Sequence, residues 1–112
     1  MTSDDRWGRR WERHAITIPV AVSLLIKGER TKFHSQATDV SRGGLSVFMT
    51  REIPIGVRVQ LDFLLPYSST PLTLRGIVRT RHGFNHGIEF VHPTHEQQEI
   101  LERTCKVLTL LS

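Results

Sequence analysis

The sequence predicts a mainly β domain of six strands, closed or nearly closed into a barrel, followed by one C-terminal α-helix. Three observations predict it. Apolar residues alternate with period two in successive stretches between Ile16 and Phe90, and glycine, proline and serine interrupt those stretches often. After Pro93 the apolar spacing changes to that of a helix. At 112 residues the chain has the size of a single domain, large enough to bury one core without disulfide or metal staples.

The first strand carries Ile16, Ile18, Val20, Val22, Leu24 and Ile26 on one face. Lys27-Gly28-Glu29-Arg30 is a glycine-containing turn into a more polar partner strand, Lys32 to Val40, with Phe33, Ser35, Ala37 and Asp39 on one side. Ser41-Arg42-Gly43-Gly44 breaks that strand. Leu45, Val47 and Met49 resume the alternation until Pro54 and Gly56 mark the next turn. Val57, Val59, Leu61, Phe63 and Leu65 form the fourth strand, and Pro66 to Pro71 is a serine-rich turn. Leu72, Leu74, Gly76 and Val78 form the fifth, where Gly76 implies a bulge or the close approach of another backbone. A loop at His82-Gly83-Phe84-Asn85-His86 leads to a short last strand with Ile88 and Phe90. Thr94 and Gln97 then make a capping box, and Ile100, Leu101, Cys105, Leu108 and Leu111 share one helical face that packs against or plugs the barrel.

Charge and cysteine usage narrow the classes of function. Fifteen Lys and Arg against eleven Asp and Glu leave a formal charge of +4, which favours anionic partners. Arg6, Arg9, Arg10 and Arg13 crowd the start, so residues 1–15 read as a flexible basic arm before a barrel and helix spanning 16–112. With one cysteine, no apolar run in the first thirteen residues and no stretch of membrane-spanning length, the expectation is a soluble chain in a reducing cytoplasm. The six histidines show no zinc-site spacing and read as ordinary surface residues, so no metal is expected. Cys105 falls in the helix's apolar stripe, as an inert thiol would, and Ser41 lacks a nucleophile-elbow context; no enzymatic activity is expected.

Two constellations carry chemistry. In Thr38-Asp39-Val40-Ser41-Arg42-Gly43-Gly44, an extended backbone places the Asp39 carboxylate and Ser41 hydroxyl on one face, able to read the N–H edge of a base, while Gly43 and Gly44 permit a sharp turn or a close ligand. The same residues also suit a turn in which Asp39 and Ser41 cap their own backbone. The second is Arg9-Arg10-Trp11-Glu12-Arg13, whose guanidinium groups can grip phosphate or pair with and stack on guanine. Trp7 and Trp11 in this arm either take part in binding or anchor the arm to the barrel. Arg75, Arg79 and Arg81 make a basic strand, read as an outward polar face or as a second phosphate-facing surface.

Taken in order, Arg9-x-x-x-Arg13, Pro19, Asp39-x-Ser41-x-x-Gly44, and the segments Leu74 to Arg79 and Gly87 to Val91 resemble the PilZ family over nearly the whole chain. The resemblance implies a six-stranded antiparallel β-barrel of the split-barrel type with a C-terminal helix, and cyclic di-GMP as ligand. It implies that Arg9 and Arg13 hold phosphates and guanine, that Asp39 and Ser41 recognise the guanine edge, and that Gly44 keeps the turn, with Arg10, Arg42 and Gly43 adjacent. The arm would wrap the dianion against the Asp39 and Ser41 face, turning binding into a change of shape. The signal would pass to a downstream protein partner or through self-association, in processes such as motility, polysaccharide secretion or biofilm control. Two other readings compete: a basic barrel for single-stranded nucleic acid, and an interaction module independent of ligand. The first calls for aromatics exposed on strands, whereas Phe33, Phe63 and Phe90 fall on core faces.

Overall fold

A computed structural model describes residues 11–112 of the chain. Arg6, Trp7, Arg9 and Arg10 lie outside the described residues. The strands are β1 (His14–Ile26), β2 (Glu29–Val40), β3 (Gly44–Phe48), β4 (Arg58–Phe63), β5 (Leu72–His82) and β6 (Asn85–Phe90), followed by helix α1 (His95–Leu111). They close into an antiparallel barrel in the order β1-β2-β3-β6-β5-β4. The expected fold is therefore the observed one.

Turn chemistry sets the registers. Lys27 and Gly28 both take positive φ, 51° and 81°, as a two-residue hairpin turn of the primed type requires, and β1 and β2 pair along nearly their whole length. Gly83, at φ 63°, opens the β5–β6 turn. Inward residues alternate as the period-two pattern demands: Val20 and Val22 on β1, Val59, Leu61 and Phe63 on β4, Leu72, Leu74 and Val78 on β5. Phe63 and Phe90 stack in the core with centroids 6.1 Å apart, and Phe33 packs against its edge. Phe48 and Phe84 are exposed, but against each other, edge to face.

Three details depart from the period-two reading. Thr38 is an extra residue of β2 opposite β3, so the parity slips there: Ala37 and Val40 both point into the core, and Asp39 leaves the side it was expected to share with Ala37. Gly76 is not a bulge, because the irregularity between β5 and β6 lies at Val78/Thr80. Instead β6 approaches it so closely that a Cβ would stand 2.5 Å from Ile88 Cγ2. Leu111 is 64% exposed, although it continues the helical stripe, because α1 overruns the barrel.

The barrel's two ends are closed differently. Helix α1 crosses the end where β2 finishes and β3 starts, burying Ile100, Leu101, Thr104 and Cys105. Its capping box forms as expected, with Thr94 Oγ1 accepting from Gln97 N–H and the Gln97 side chain accepting from Thr94 N–H. Gln97 also donates to the Thr73 carbonyl, docking the start of α1 on β5. The connection between β3 and β4 covers the opposite end and buries Met49 and Ile53. His86, fully buried, holds it: Nε2 accepts from Ile53 N–H at 2.8 Å and Nδ1 donates to the Phe84 carbonyl at 2.8 Å. This corrects the reading of the histidines as surface residues, which fails for His86 and for His14, 8% exposed. Composition alone does not distinguish a ring buried between two backbone groups from one in water.

Candidate functional site

The turn after β2 is built by its own polar groups. Ser41 N–H donates to the Gly44 carbonyl at 2.9 Å, and Ser41 Oγ accepts from Gly43 N–H at 3.1 Å. Phe90 N–H donates to the Gly43 carbonyl at 2.8 Å, tying the turn to β6. Ser41 is thus buried and caps its own backbone, the role weighed against base reading. Gly43 and Gly44 do not use positive φ, so the turn does not need glycine for its dihedral angles. Gly43 is needed for space: a Cβ there would lie 2.5 Å from Trp11 Cδ1 and 2.8 Å from Trp11 Nε1.

Trp11 therefore seats the end of the arm directly on the turn. The Arg42 guanidinium carbon lies 5.6 Å from the centre of the Trp11 ring, a cation–π arrangement, and Arg42 Nη1 lies 3.7 Å from Glu102 on α1. Arm, turn and helix meet at this stack. Of the two roles considered for Trp11, the geometry displays the anchor. Arg13 precedes His14, whose register partner is Val40, so Arg13 enters the barrel beside Ser41; its side chain is exposed and has an interaction partner. Asp39 pairs in register with Ala15 on one side and Ser46 on the other, half-buried. Arg13, Asp39, Ser41, Arg42, Gly43 and Gly44 are thus gathered on one rim, while Arg9 and Arg10 lie outside the described residues.

Two clefts flank the Trp11–Arg42 stack. One, of about 430 Å³, runs between the arm and α1, lined by Glu12, His14, Cys105, Lys106, Thr109 and Leu110 besides the stack. The other, of about 300 Å³, lies towards Glu89, Phe90, Pro93, Gln98 and Glu102. Asp39 and Ser41 line neither cleft. The sequence reading missed the contribution of α1. Its only trace was the four-residue spacing of Cys105 and Thr109, which puts both on one face, and nothing local pairs Arg42 with Glu102. Burial pushes the Cys105 thiol above its usual value, outweighing the opposing influence of Arg42, so it stays protonated at neutral pH. Among the described residues no group of three or more His, Cys, Asp or Glu is placed to hold a metal, and no helix is long and apolar enough to cross a membrane.

On β5, Arg79 Nε donates to Glu89 Oε1 at 2.9 Å, its Nη2 forms an ion pair with the same oxygen at 2.9 Å, and Arg81 pairs with Glu52 at 3.2 Å. Both arginines are neutralised, Arg79 by a carboxylate that borders the second cleft and Arg81 towards the opposite end of the barrel.

Comparison with known proteins agrees with this architecture. The model of the PilZ domain family matches residues 8–106. The Bacillus subtilis inhibitor of motility, MotI/DgrA, superposes with a TM-score of 0.71 at 18% identity, covering 93% of this chain and 52% of its own, so the chain spans about half the length of that protein. The PilZ domain of YcgR from Escherichia coli, solved with c-di-GMP, gives a TM-score of 0.66 at 15% identity, covering 90% of this chain and 91% of that one. The PilZ domain of CeSA from a cellulose synthesizing bacterium gives 0.65 at 19% identity, covering 86% and 97%. No curated protein matches the sequence.

Proposed function

Since the chain belongs to the PilZ domain family, we propose that it is a receptor for cyclic di-GMP, binding the dinucleotide at the arm-and-turn rim and relaying the event to a protein partner, with no catalytic step of its own. The observation that carries this reading is the seating of Trp11, the first described residue of the arm, on Gly43 beneath Arg42 at the Asp39-to-Gly44 turn. The neighbouring PilZ domain of YcgR is solved with this ligand, which supports the choice of dinucleotide.

In this reading Arg9 and Arg13 engage phosphate and guanine, assisted by Arg10 and Arg42. Asp39 accepts from a guanine N–H edge. Ser41, already spent on Gly43 N–H, shapes the turn and retains a hydroxyl proton to donate. The Trp11–Arg42 stack is the moving part, because its cation–π contact and its exposed ion pair to Glu102 are each worth about 1 kcal/mol or less, and a dianion that recruits Arg42 competes with both. Reseating of Trp11 would carry the signal to α1, whose exposed end, Leu110 and Leu111, a partner can reach. A cytoplasmic setting follows from the ligand.

Calorimetric titration of the full chain with cyclic di-GMP tests the proposal, with a single-stranded oligonucleotide as competitor. Arg13→Ala and Asp39→Ala should each weaken binding by about 2–3 kcal/mol, roughly 30- to 150-fold, without changing the thermal midpoint. Unchanged affinity in both variants, or oligonucleotide binding with no dinucleotide signal, would overturn it.

A further inference from the structure

Strands β1 and β4 close the barrel over only four residue pairs, Val20–Ser23 against Phe63–Gln60. Beyond Ser23, β1 continues to Ile26 in register with β2, and β4 continues back to Arg58 in register with β5, but the two no longer pair with each other. Their facing edges over 24–26 and 58–59 carry backbone N–H and carbonyl groups without a ladder partner among the described residues. A groove of about 570 Å³ opens in this seam, floored by Leu24, Val59 and Gly76.

Arg30, Arg58 and Arg75 rim the groove, and its lining contains no carboxylate and no aromatic ring. All three are exposed, and among the described residues none has an acidic group within ion-pair distance, in contrast to Arg79 and Arg81 further along β5. The charge is therefore uncompensated where the backbone edges are open. A free anion would use the arginines and leave the edges unpaired; a nucleic-acid strand would call for aromatic stacking surfaces, which the groove lacks. A short extended peptide uses both features, pairing its main chain with an edge and placing alternate side chains on the rim.

We infer that the β1/β4 seam docks an acidic, extended segment of a partner protein, which adds to the free edge of β1 as a strand with its carboxylates on Arg30, Arg58 and Arg75. The groove shares no residue with the cyclic di-GMP rim, so this inference stands apart from that reading. The probe is a capped seven-residue peptide alternating glutamate with valine, titrated into the ¹⁵N-labelled full chain. Amide shifts should concentrate at residues 23–26 and 57–60. Arg58→Glu with Arg75→Glu, both at exposed positions, should weaken binding at least tenfold while the thermal midpoint and the cyclic di-GMP isotherm stay unchanged. The same peptide methylated on alternate backbone amides keeps its charge but should bind at least tenfold more weakly. Equal binding of the methylated peptide, shifts centred elsewhere, or tighter binding of a single-stranded oligonucleotide in the same groove would overturn the inference.

Discussion

At one end of the barrel the arm meets the helix through partly exposed side chains, whereas at the other the closing segment is tied down by main-chain hydrogen bonds. At the rim end, α1 and the arm meet through Trp11, Arg42 and Glu102, side chains held by a ring face and a half-exposed ion pair. At the far end the connection from β3 to β4 is held by its main chain: Ile53 N–H on the buried His86 ring, Met49 N–H on the Phe84 carbonyl, Gly56 N–H on the Val78 carbonyl. Two glycines show the same contrast. Gly76 lacks a side chain to make room for Ile88 and the Glu89 carbonyl, which are core, whereas Gly43 lacks one to make room for Trp11, the tip of an arm. The proposed receptor role would draw on this asymmetry, since a surface that rearranges has to be carried by a frame that does not.

The largest expected effect lies at the fixed end. His86→Ala removes a fully buried ring and strands the Ile53 N–H and the Phe84 carbonyl, so urea unfolding should show a loss of about 3 kcal/mol. Gly76→Ala should follow at about 2 kcal/mol, because the new methyl meets Ile88 and a β6 carbonyl that are held on all sides.

A smaller effect comes from protonation of the same end. Burial is the main cause that lowers the His86 pKa below its usual 6.5, with Arg81 lowering it further, while hydrogen bonds to Phe84 and Val47 and the charge of Glu52 oppose. The unfolded chain then takes up a proton near 6.5 that the folded chain refuses. Stability is complete above that pH and is lost as pH falls below it, by at most about 1.4 kcal/mol per unit from this group. Accordingly the stability gap between the parent and His86→Ala should narrow between pH 7 and pH 5; a constant gap would mean that the ring titrates in the fold.

The smallest effect belongs to the rim. Gly43→Ala drives Trp11 from its seat, but an arm side chain can move, so the loss should stay below about 1 kcal/mol while Trp11 fluorescence shifts to the red in a Trp7→Phe background. A cost equal to that of Gly76→Ala would make the rim as rigid as the core and end the comparison.

How much was legible in the sequence differs by region for the same reason. The strands, the hairpin turn and the capping box of Thr94 and Gln97 are written in neighbouring residues and formed where expected, except that the turn is only Lys27-Gly28, with Glu29 and Arg30 already in β2. The parity slip at Thr38 was not legible, since it depends on which β3 residue stands opposite. Nor was the burial of His86, because Ile53, whose N–H it accepts, lies 33 residues away on another segment. Leu111 carried the right spacing but ran past the surface that the spacing was meant to cover.

By itself the sequence determined the element order, the barrel's inward faces and the helix start, because alternation, turn dihedrals and caps act over a few bonds. It also placed an arginine arm and an Asp-x-Ser turn at two separate points of the chain. Only the tertiary structure decided that Trp11 of the arm rests on Gly43 of the turn, that Glu102 on α1 faces Arg42, and that β1 and β4 part beyond Ser23. Those are long-range juxtapositions, set by barrel closure and register, and no local pattern encodes them.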